Sequence, residues 1–439
     1  MYSVPRNVFR HKFHSGARAV AVCLSASALL TIAGCGNNYR PVVSAISPVG
    51  PAAQPTVYAT AISDPGSGRN GLITVVDVFG DTIIANADVA PAPTYLAVDS
   101  LGQSYVLHNN SPLVDSFTST SGLMTNMVRQ SSLTAGGNPN QVNPSSGTSP
   151  IFITEPGLNR VAVLTGGSPP TARQELPVPA NPVYTIGTST SPRFYTLSQG
   201  TTPGTSIGTA TAIENGTTNT ISASIPVGIS PIYGVMSNDG RRAFVVNTKG
   251  TGAGVGTVTV LNTQGNNLDT TITVGANPVW AEIAPAINEL VVVNAGDGTK
   301  PGSVSVVNVS LCNVATVLGN AQCDSSNPTD SIDFGKILGT IPVGVNPVQV
   351  AVLNDLSKAY VANSDGTVTV VDLVRLVATK TIQVGGTLNW IGAVAGTPTG
   401  KVLVTAKDTK NLTFIRTDTD AVSSTLSLQG NAIGLRIAQ

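Results

Sequence analysis

The chain has 439 residues, a formal net charge of zero and only 10% charged residues. Its 45 glycines and 29 prolines predict many turns, and so few charges leave little to cover exposed helices, so β structure is favoured. No run of Lys or Arg occurs in the body of the chain, which argues against nucleic acid as a partner.

Residues 1–34 are predicted to be a signal peptide. The uncharged stretch Ala19–Gly34 follows a basic segment, and the first acidic residue of the chain is Asp64. A membrane-spanning anchor is the alternative, but this stretch is diluted by Ala, Ser and Gly and is shorter than the roughly 20 apolar residues that a span needs. The basic residues of the segment are Arg6, Arg10, Lys12 and Arg18.

The end of this segment, Ile32-Ala33-Gly34-Cys35, resembles the lipobox of bacterial lipoproteins. The resemblance implies cleavage before Cys35 and acylation of its thiol and new amino group, which together make a stable membrane anchor. Gly36 follows, not the Asp that in some bacteria retains lipoproteins in the inner membrane. We therefore expect a lipid-anchored protein of the bacterial cell envelope, at the outer membrane or cell surface rather than the inner membrane.

Residues 35–55 are predicted to be the lipidated N-terminus and a tether, and residues 56–439 a single domain. Apart from Cys23 and Cys35, the cysteines are Cys312 and Cys323. An oxidising compartment favours a disulfide between them over free thiols. A metal site is disfavoured because no further Cys or His lies near them.

A hairpin pattern recurs eight times from Val57 onward. Its clearest copy, Lys358–Asp372, has two apolar runs on either side of the turn Asn363–Gly366. A third run follows each hairpin and ends in a small turn such as "GANP" or "GVNP", after which a fourth run begins. The pattern predicts four strands per unit, with β-branched residues in the strands and Asn, Asp and Gly in the turns.

The unit length predicts a β-propeller. The fourth runs begin 41 to 49 residues apart, with one spacing of 69, at Thr94, Pro139, Pro182, Pro231, Pro278, Pro347, Leu388 and Asn431. Four strands per period of this length are typical of propeller blades. We count eight blades, or seven if one weak unit is irregular, and place an insertion at about residues 310–335. The last run is unpaired, so we expect the C-terminal strand to complete the first blade and close the ring.

The segment Tyr360–Asn363, followed by "GTVTVVD", resembles the YVTN-type β-propeller repeat of exported bacterial and archaeal proteins. The match is strong over residues 231–385 and looser in the first four units. The resemblance implies a propeller outside the cytoplasm. It implies no single activity, because the family includes surface-layer, redox-associated and lactonase-like proteins.

Residues that could carry catalysis are few. His108 is the only histidine after residue 34, so a His-rich metal site is excluded, and its alternative role is a hydrogen bond to a neighbour at a loop edge. Three carboxylates interrupt the repeat: Glu155, Glu214 and Glu282. Glu282 is close to Trp280 on a predicted channel-lining strand, where the pair would either hold a small polar ligand or plug the channel.

We predict a monomeric, lipid-anchored binding or scaffold module for an envelope protein, a glycan or a small ligand, with no cofactor and no catalytic residues. The alternative is a propeller enzyme of lactonase or quinoprotein type. Loops of varied length on a rigid scaffold are the usual place for binding. The candidate face is formed by the loops inside each hairpin and the turns into each fourth strand, with Arg69, His108, Lys249, Asp297 and Lys300 as its charged or titratable residues.

Overall fold

The computed structural model describes residues 57–438, except 121–122, 125–127, 145–149, 167–168, 172, 189–190, 192, 251–253, 311–332, 354–357 and 397–398. The predicted signal peptide, Cys35 and the tether lie outside the described residues. So do Cys312, Cys323 and most of the predicted insertion.

The described part of the chain is all-β, as predicted, and every strand pairing is antiparallel. Its one helical segment is a single 3-10 turn, Pro156–Leu158. The first sheet contains β1 (Tyr58–Asp64), β2 (Asn70–Asp77) and β3 (Thr82–Pro91), together with the C-terminal strand β32 (Asn431–Ala438), which pairs with β1. The second contains β4 (Pro93–Val98), β5 (Gln103–His108), β6 (Leu113–Thr120), β7 (Leu123–Met124) and β8 (Arg129–Ser132). The third contains β9 (Gln141–Pro144), β10 (Ile151–Glu155), β11 (Arg160–Leu164) and β12 (Arg173–Pro177).

The later strands follow the same four-stranded order, except that two units share one sheet. This seven-stranded sheet contains β13 (Pro182–Ile186), β14 (Arg193–Ser198), β15 (Ile207–Glu214), β16 (Thr220–Met236), β17 (Arg242–Lys249), β18 (Gly256–Asn262) and β19 (Asn267–Val274). Three further sheets contain β20 (Pro278–Ala284), β21 (Glu289–Asn294), β22 (Pro301–Asn308) and β23 (Ile337–Val345); β24 (Pro347–Val352), β25 (Lys358–Asn363), β26 (Thr367–Asp372) and β27 (Val377–Gln383); and β28 (Leu388–Val394), β29 (Lys401–Ala406), β30 (Asn411–Arg416) and β31 (Ala421–Ser427).

The shared sheet departs from the sequence prediction, which placed a turn before Pro231. Instead β16 runs continuously from the third strand of one unit into the fourth strand of the same sequence repeat. Its Ile229 pairs with Ile207 on one side and with Lys249 on the other, so backbone pairing bridges the expected turn.

An asparagine at the end of the first hairpin strand explains the repeated "N…GTVTV" pattern. The buried Asn247 amide donates to the hydroxyls of Thr257 (3.2 Å) and Thr259 (3.0 Å) on the next strand. Asn294 does the same with Ser303 and Ser305, and Asn363 with Thr367 and Thr369. We call this contact the asparagine clamp. It satisfies polar groups that the hairpin buries, as buried polar groups require.

A left-handed residue precedes the fourth strand of most units. Asn277 and Asn346 have φ of 50° and 48°, a conformation that Asn tolerates better than most residues, and a proline follows each. Pro278 and Pro347 begin β20 and β24, where a residue without an N–H is tolerated. The turn chemistry of these two "NP" dipeptides therefore sets where β20 and β24 begin.

The core lies between neighbouring sheets. Val291 and Val304 of one sheet pack with Val350 and Val361 of the next, and all four side chains are fully buried. Burying such a side chain contributes about 1.5–3 kcal/mol each relative to exposure. Sheet-to-sheet packing of this kind is the main stabilising term of the fold.

We call the fourth strand of each unit its inner strand: β4, β9, β13, the C-terminal half of β16, β20, β24, β28 and β32. Each inner strand contacts the next in this order, and β32 contacts β4. The inner strands thereby bring one set of side chains to a common axis.

Candidate functional site

Four of the five residues predicted for the binding face are exposed on hairpin loops. Lys249 donates to the Gly204 carbonyl of the neighbouring loop at 2.9 Å, and Arg69 donates to Pro65 O at 2.7 Å within its own loop. Asp297 accepts the N–H groups of Thr299 and Lys300, which lowers its pKa to about 2. These contacts shape the loops, and the partner-binding role of the face stays a prediction.

The fifth residue, His108, is buried and cannot present its ring on that face. Its Nε2 lies 3.2 Å from Asp115 Oδ2, and its Nδ1 lies 3.2 Å from Pro91 O. Burial opposes ionisation of Asp115, but the hydrogen bonds from His108 and the Ala90 N–H outweigh it and hold the pKa of Asp115 below its usual value. His108 occupies the position of the clamp asparagine, and Asp115 that of Thr259, so the second unit replaces a neutral clamp with a titratable pair.

The three carboxylates that interrupt the repeat occupy three separate environments. Glu155, fully buried, binds Arg160 Nε at 2.7 Å. Glu214 binds Arg193 Nε at 2.5 Å at the edge of a different sheet. Only Glu282 faces the axis, so these residues and His108 do not converge on one catalytic centre.

A cavity of about 420 Å³ lies on the axis. Its lining comes from all eight inner strands. Counted from the start of each inner strand, most lining residues fall at two successive inward-facing positions, and the others lie between or beyond them. No residue of the turns before the inner strands lines the cavity. The cavity therefore lies toward the C-terminal ends of the inner strands, away from the hairpin loops.

The first level is a belt of rings, which we call the aromatic belt: Tyr95, Tyr184, Tyr233, Trp280 and Trp390. Tyr233 stacks on Trp280 with centroids 3.9 Å apart, and Trp280 meets Trp390 edge-on at 5.6 Å. Tyr184 contacts Tyr233 at 4.8 Å. The belt fills much of the axis and forms one end of the cavity.

Glutamines replace the aromatic residue in two inner strands and tie the strands together. Gln141 Oε1 accepts the Thr185 N–H at 3.0 Å, and Gln349 Nε2 donates to Ile391 O at 3.0 Å. Both side chains are buried. Each binds the backbone of the following inner strand, so they are structural members of the cavity wall.

Gly434 takes the belt position in the last inner strand. A Cβ there would lie 3.3 Å from Trp390 Nε1, so the site has no room for another ring. Arg436, two residues later, places its guanidinium carbon 3.7 Å from the Trp390 ring centroid and 5.3 Å from that of Tyr95. A cation thereby occupies the gap in the belt, held by cation–π contacts.

The second level leaves space because three of its residues are small. Ala97, Ala351 and Gly392 stand beside Asn143, Arg436 and Glu282. Burial raises the pKa of Glu282 to about 8, against the opposing effect of a hydrogen bond from the Val352 N–H. Glu282 is therefore mostly a neutral carboxylic acid at pH 7. We call this level the chamber.

The chamber is where sequence interpretation was least complete. It placed Glu282 and Trp280 on a channel-lining strand, and both line the cavity. It missed Arg436 and the tyrosines of the belt. The signal was the position two residues after the proline that opens an inner strand, which is aromatic at Tyr95, Tyr184, Tyr233 and Trp280.

Within the described ranges, no three His, Cys, Asp or Glu side chains converge in the way a metal site requires. No helix in the described part of the chain has the length and apolarity needed to cross a bilayer.

Known proteins resemble this chain in structure but not in sequence. No family model matches it, and no curated protein matches its sequence. AztD from Citrobacter koseri is 12% identical, with a TM-score of 0.56 over 87% of this chain and 98% of that one. The dihydro-haem d1 dehydrogenase NirN is 12% identical, with a TM-score of 0.62 over 87% of this chain and 75% of that one. A proposed 6-phosphogluconolactonase from Bacteroides fragilis is 13% identical, with a TM-score of 0.52 over 89% and 100%. These neighbours are β-propeller-like, and at such identities the likeness extends to the fold alone.

Proposed function

We propose that the protein is an eight-bladed β-propeller, closed by its C-terminal strand, that binds a small ligand in its axial chamber. The pairing of β32 with β1 supports the closure. A second link between the chain ends is the nearly buried Lys401, whose Nζ lies 2.6 Å from Asp81 Oδ1. The shared sheet of β13–β19 then counts as two blades joined through β16.

The observation that carries the binding function is the chamber itself. Ligand sites are concave and largely apolar, with a few placed polar groups and residues of shifted pKa. The chamber combines an aromatic end, small wall residues, one cation and one neutral carboxylic acid. If Glu282 and Trp280 only plugged the channel, this space would not be needed.

Binding is favoured over catalysis by the separation of the titratable residues. A lactonase-type or other hydrolytic reaction needs a base within hydrogen-bond reach of the reacting group. His108, Glu155 and Glu214 are each engaged elsewhere, and Glu282 is the sole carboxylate among the described residues of the chamber wall. The alternative of a propeller enzyme therefore lacks an assembled set of groups.

The sequence also supports an envelope location. We propose that Cys35 carries lipid, that the domain stands outside the cytoplasm, and that Cys312 and Cys323 form a local disulfide. Labelling with a fatty-acid analogue is expected to mark the wild-type protein and not Cys35→Ser. Thiol alkylation of the unreduced protein is expected to find neither Cys312 nor Cys323 free.

Tryptophan fluorescence tests the binding function directly. The chain has two tryptophans, and both Trp280 and Trp390 belong to the aromatic belt. We expect ring-sized organic molecules from a panel of neutral, acidic and basic compounds to change the emission saturably. A matching calorimetric signal would confirm the site. If no compound changes the emission or the thermal midpoint, the axial-binding function is wrong.

A further inference from the structure

The chamber holds one cation with spare hydrogen-bonding capacity. Arg436 Nη1 donates to Leu435 O at 2.9 Å, and its guanidinium carbon packs over the Trp390 ring. Arg436 has no carboxylate within ion-pair distance among the described residues. An arginine presents five N–H donors in a planar fork that matches a carboxylate.

We infer that the chamber binds a small organic anion through its single carboxylate, which pairs with the Arg436 guanidinium and accepts a hydrogen bond from Glu282. This inference rests on the proposed binding function and names the ligand class. The body of the ligand would pack on the aromatic belt beside the small residues Ala351 and Gly392. A ring the size of a monosaccharide or cyclohexane fits within about 420 Å³.

Charge balance selects a monoanion. Removing a charge from water is costly unless a partner of opposite charge compensates it, and the chamber supplies one. A phosphate monoester carries up to two negative charges and would leave one uncompensated. Glu282 adds no negative charge near neutral pH, because burial raises its pKa to about 8.

The titratable groups that face the chamber besides Glu282 are few. Burial raises the pKa of Tyr184 and of Tyr233 well above the usual tyrosine value, so both stay neutral. Tyr95 and Arg436 are the remaining groups that act electrostatically on these tyrosines. Glu282 is therefore the group whose ionisation would change the charge of the chamber between pH 6 and 9.

A matched pair of probes tests the inference on the purified full-length protein. Cyclohexanecarboxylate and cyclohexanecarboxamide have the same ring, and neither absorbs where tryptophan is excited. We expect the carboxylate to bind at least tenfold more tightly than the amide at pH 6.5, by calorimetry and by tryptophan emission. Equal affinities would overturn the carboxylate inference while leaving axial binding intact, and tighter binding of cyclohexyl phosphate would overturn it in favour of a dianion. Binding of none of the three probes would also overturn the inference, and the panel described above decides separately whether axial binding fails with it.

Variants assign the contact to Arg436. We expect Arg436→Gln to weaken carboxylate binding at least tenfold and amide binding less than twofold, with Arg436→Lys intermediate. Arg375→Gln, on an exposed turn between β26 and β27, is the matched control and should change neither. Unchanged amide affinity in Arg436→Gln shows that the chamber is still formed. If Arg436→Gln binds the carboxylate as the wild type does, the inference is wrong.

The pH dependence of carboxylate affinity tests the second contact, which is between the ligand and Glu282. Carboxylate affinity should be constant from pH 5.5 to 7 and fall above pH 8, because ionised Glu282 repels the ligand. In Glu282→Gln the affinity should be flat over that range, and amide affinity should be flat in both proteins. A wild-type profile without a fall above pH 8 would remove Glu282 from the site.

Discussion

The outer strands and the inner strands of this protein obey different rules. In the outer hairpins the same chemistry recurs: buried valines in the strands, an asparagine clamp at Asn247, Asn294 and Asn363, and an Asx turn. At the belt position the inner strands carry Tyr, Gln, Trp or Gly, and two residues later they carry Ala, Asn, Ile, Val, Glu, Gly or Arg. Repetition builds the scaffold, and departure from repetition builds the cavity.

Two of the outer hairpins are exceptions to this rule. His108 with Asp115, and Glu155 with Arg160, replace the neutral clamp in the second and third units. They interrupt the repeat as a catalytic residue would, yet His108, Asp115 and Glu155 are buried, and the two pairs make close contacts of 3.2 Å and 2.7 Å. Departure from a repeat marks function only where the residue also faces a cavity.

The largest expected effect comes from removing an inner strand. Deletion of residues 431–439 would expose the edge of β1 and remove Arg436. We expect aggregation or loss of cooperative unfolding, measured by chromatography and thermal melts. The control is Arg436→Gln, which should remain folded. A soluble truncation as stable as the wild type would contradict closure by β32.

The second-largest expected effect concerns the His108–Asp115 pair. Asp115→Ala should cost about 3 kcal/mol of unfolding free energy at pH 7, because it leaves the buried His108 and the Ala90 N–H without their acceptor. The folded pKa of Asp115 lies below its unfolded value, so its contribution is present above about pH 4 and is lost as the pH falls further. Denaturant titrations at pH 7 and pH 3 should show the difference in unfolding free energy between variant and wild type shrinking in acid. A constant difference would refute an ionised Asp115 in the folded protein.

A smaller effect is expected for the neutral clamp. Asn294→Ala removes hydrogen bonds to Ser303 and Ser305 and should cost about 1–2 kcal/mol. The exposed Asn267→Ala is the control and should change the unfolding free energy by less than about 0.5 kcal/mol. No acid dependence should accompany the Asn294 variant. A loss as large as that of Asp115→Ala would show that the His108–Asp115 pair contributes no more than the neutral clamp.

The last effect has the opposite sign. A carboxyl whose folded pKa exceeds its unfolded one destabilises the fold increasingly as the pH rises from the unfolded to the folded value. Glu282→Gln should therefore raise the unfolding free energy by up to about 4 kcal/mol at pH 8 and leave it nearly unchanged near pH 4.5. Thermal melts at both pH values measure this. Destabilisation at pH 8 would show that the carboxyl is needed for packing.

The sequence was sufficient for the outer strands and insufficient for the cavity, for physical reasons. Alternating apolar residues and "NP" turns report local backbone geometry, so strand positions such as Lys358–Asn363 follow directly. The burial of His108 depends on its contact with Asp115 on the next strand of the hairpin. The position of the Arg436 side chain depends on Gly434, which leaves the space, and on the rings of Tyr95 and Trp390, which come from the first and seventh units. Such contacts join distant parts of the chain and leave no local pattern.

The pairing of β1 with β32 joins the two ends of the domain and therefore affects how the protein folds. Tyr58 pairs with Ala438, so the first sheet cannot be completed until the whole chain is available. Contacts of such high sequence separation slow folding, because the entropy of closing the loop must be lost before the contact contributes. The middle sheets can form from local hairpins, while β1 waits with an open edge for its last partner. We therefore expect the final association of the chain ends to be the slow step of folding.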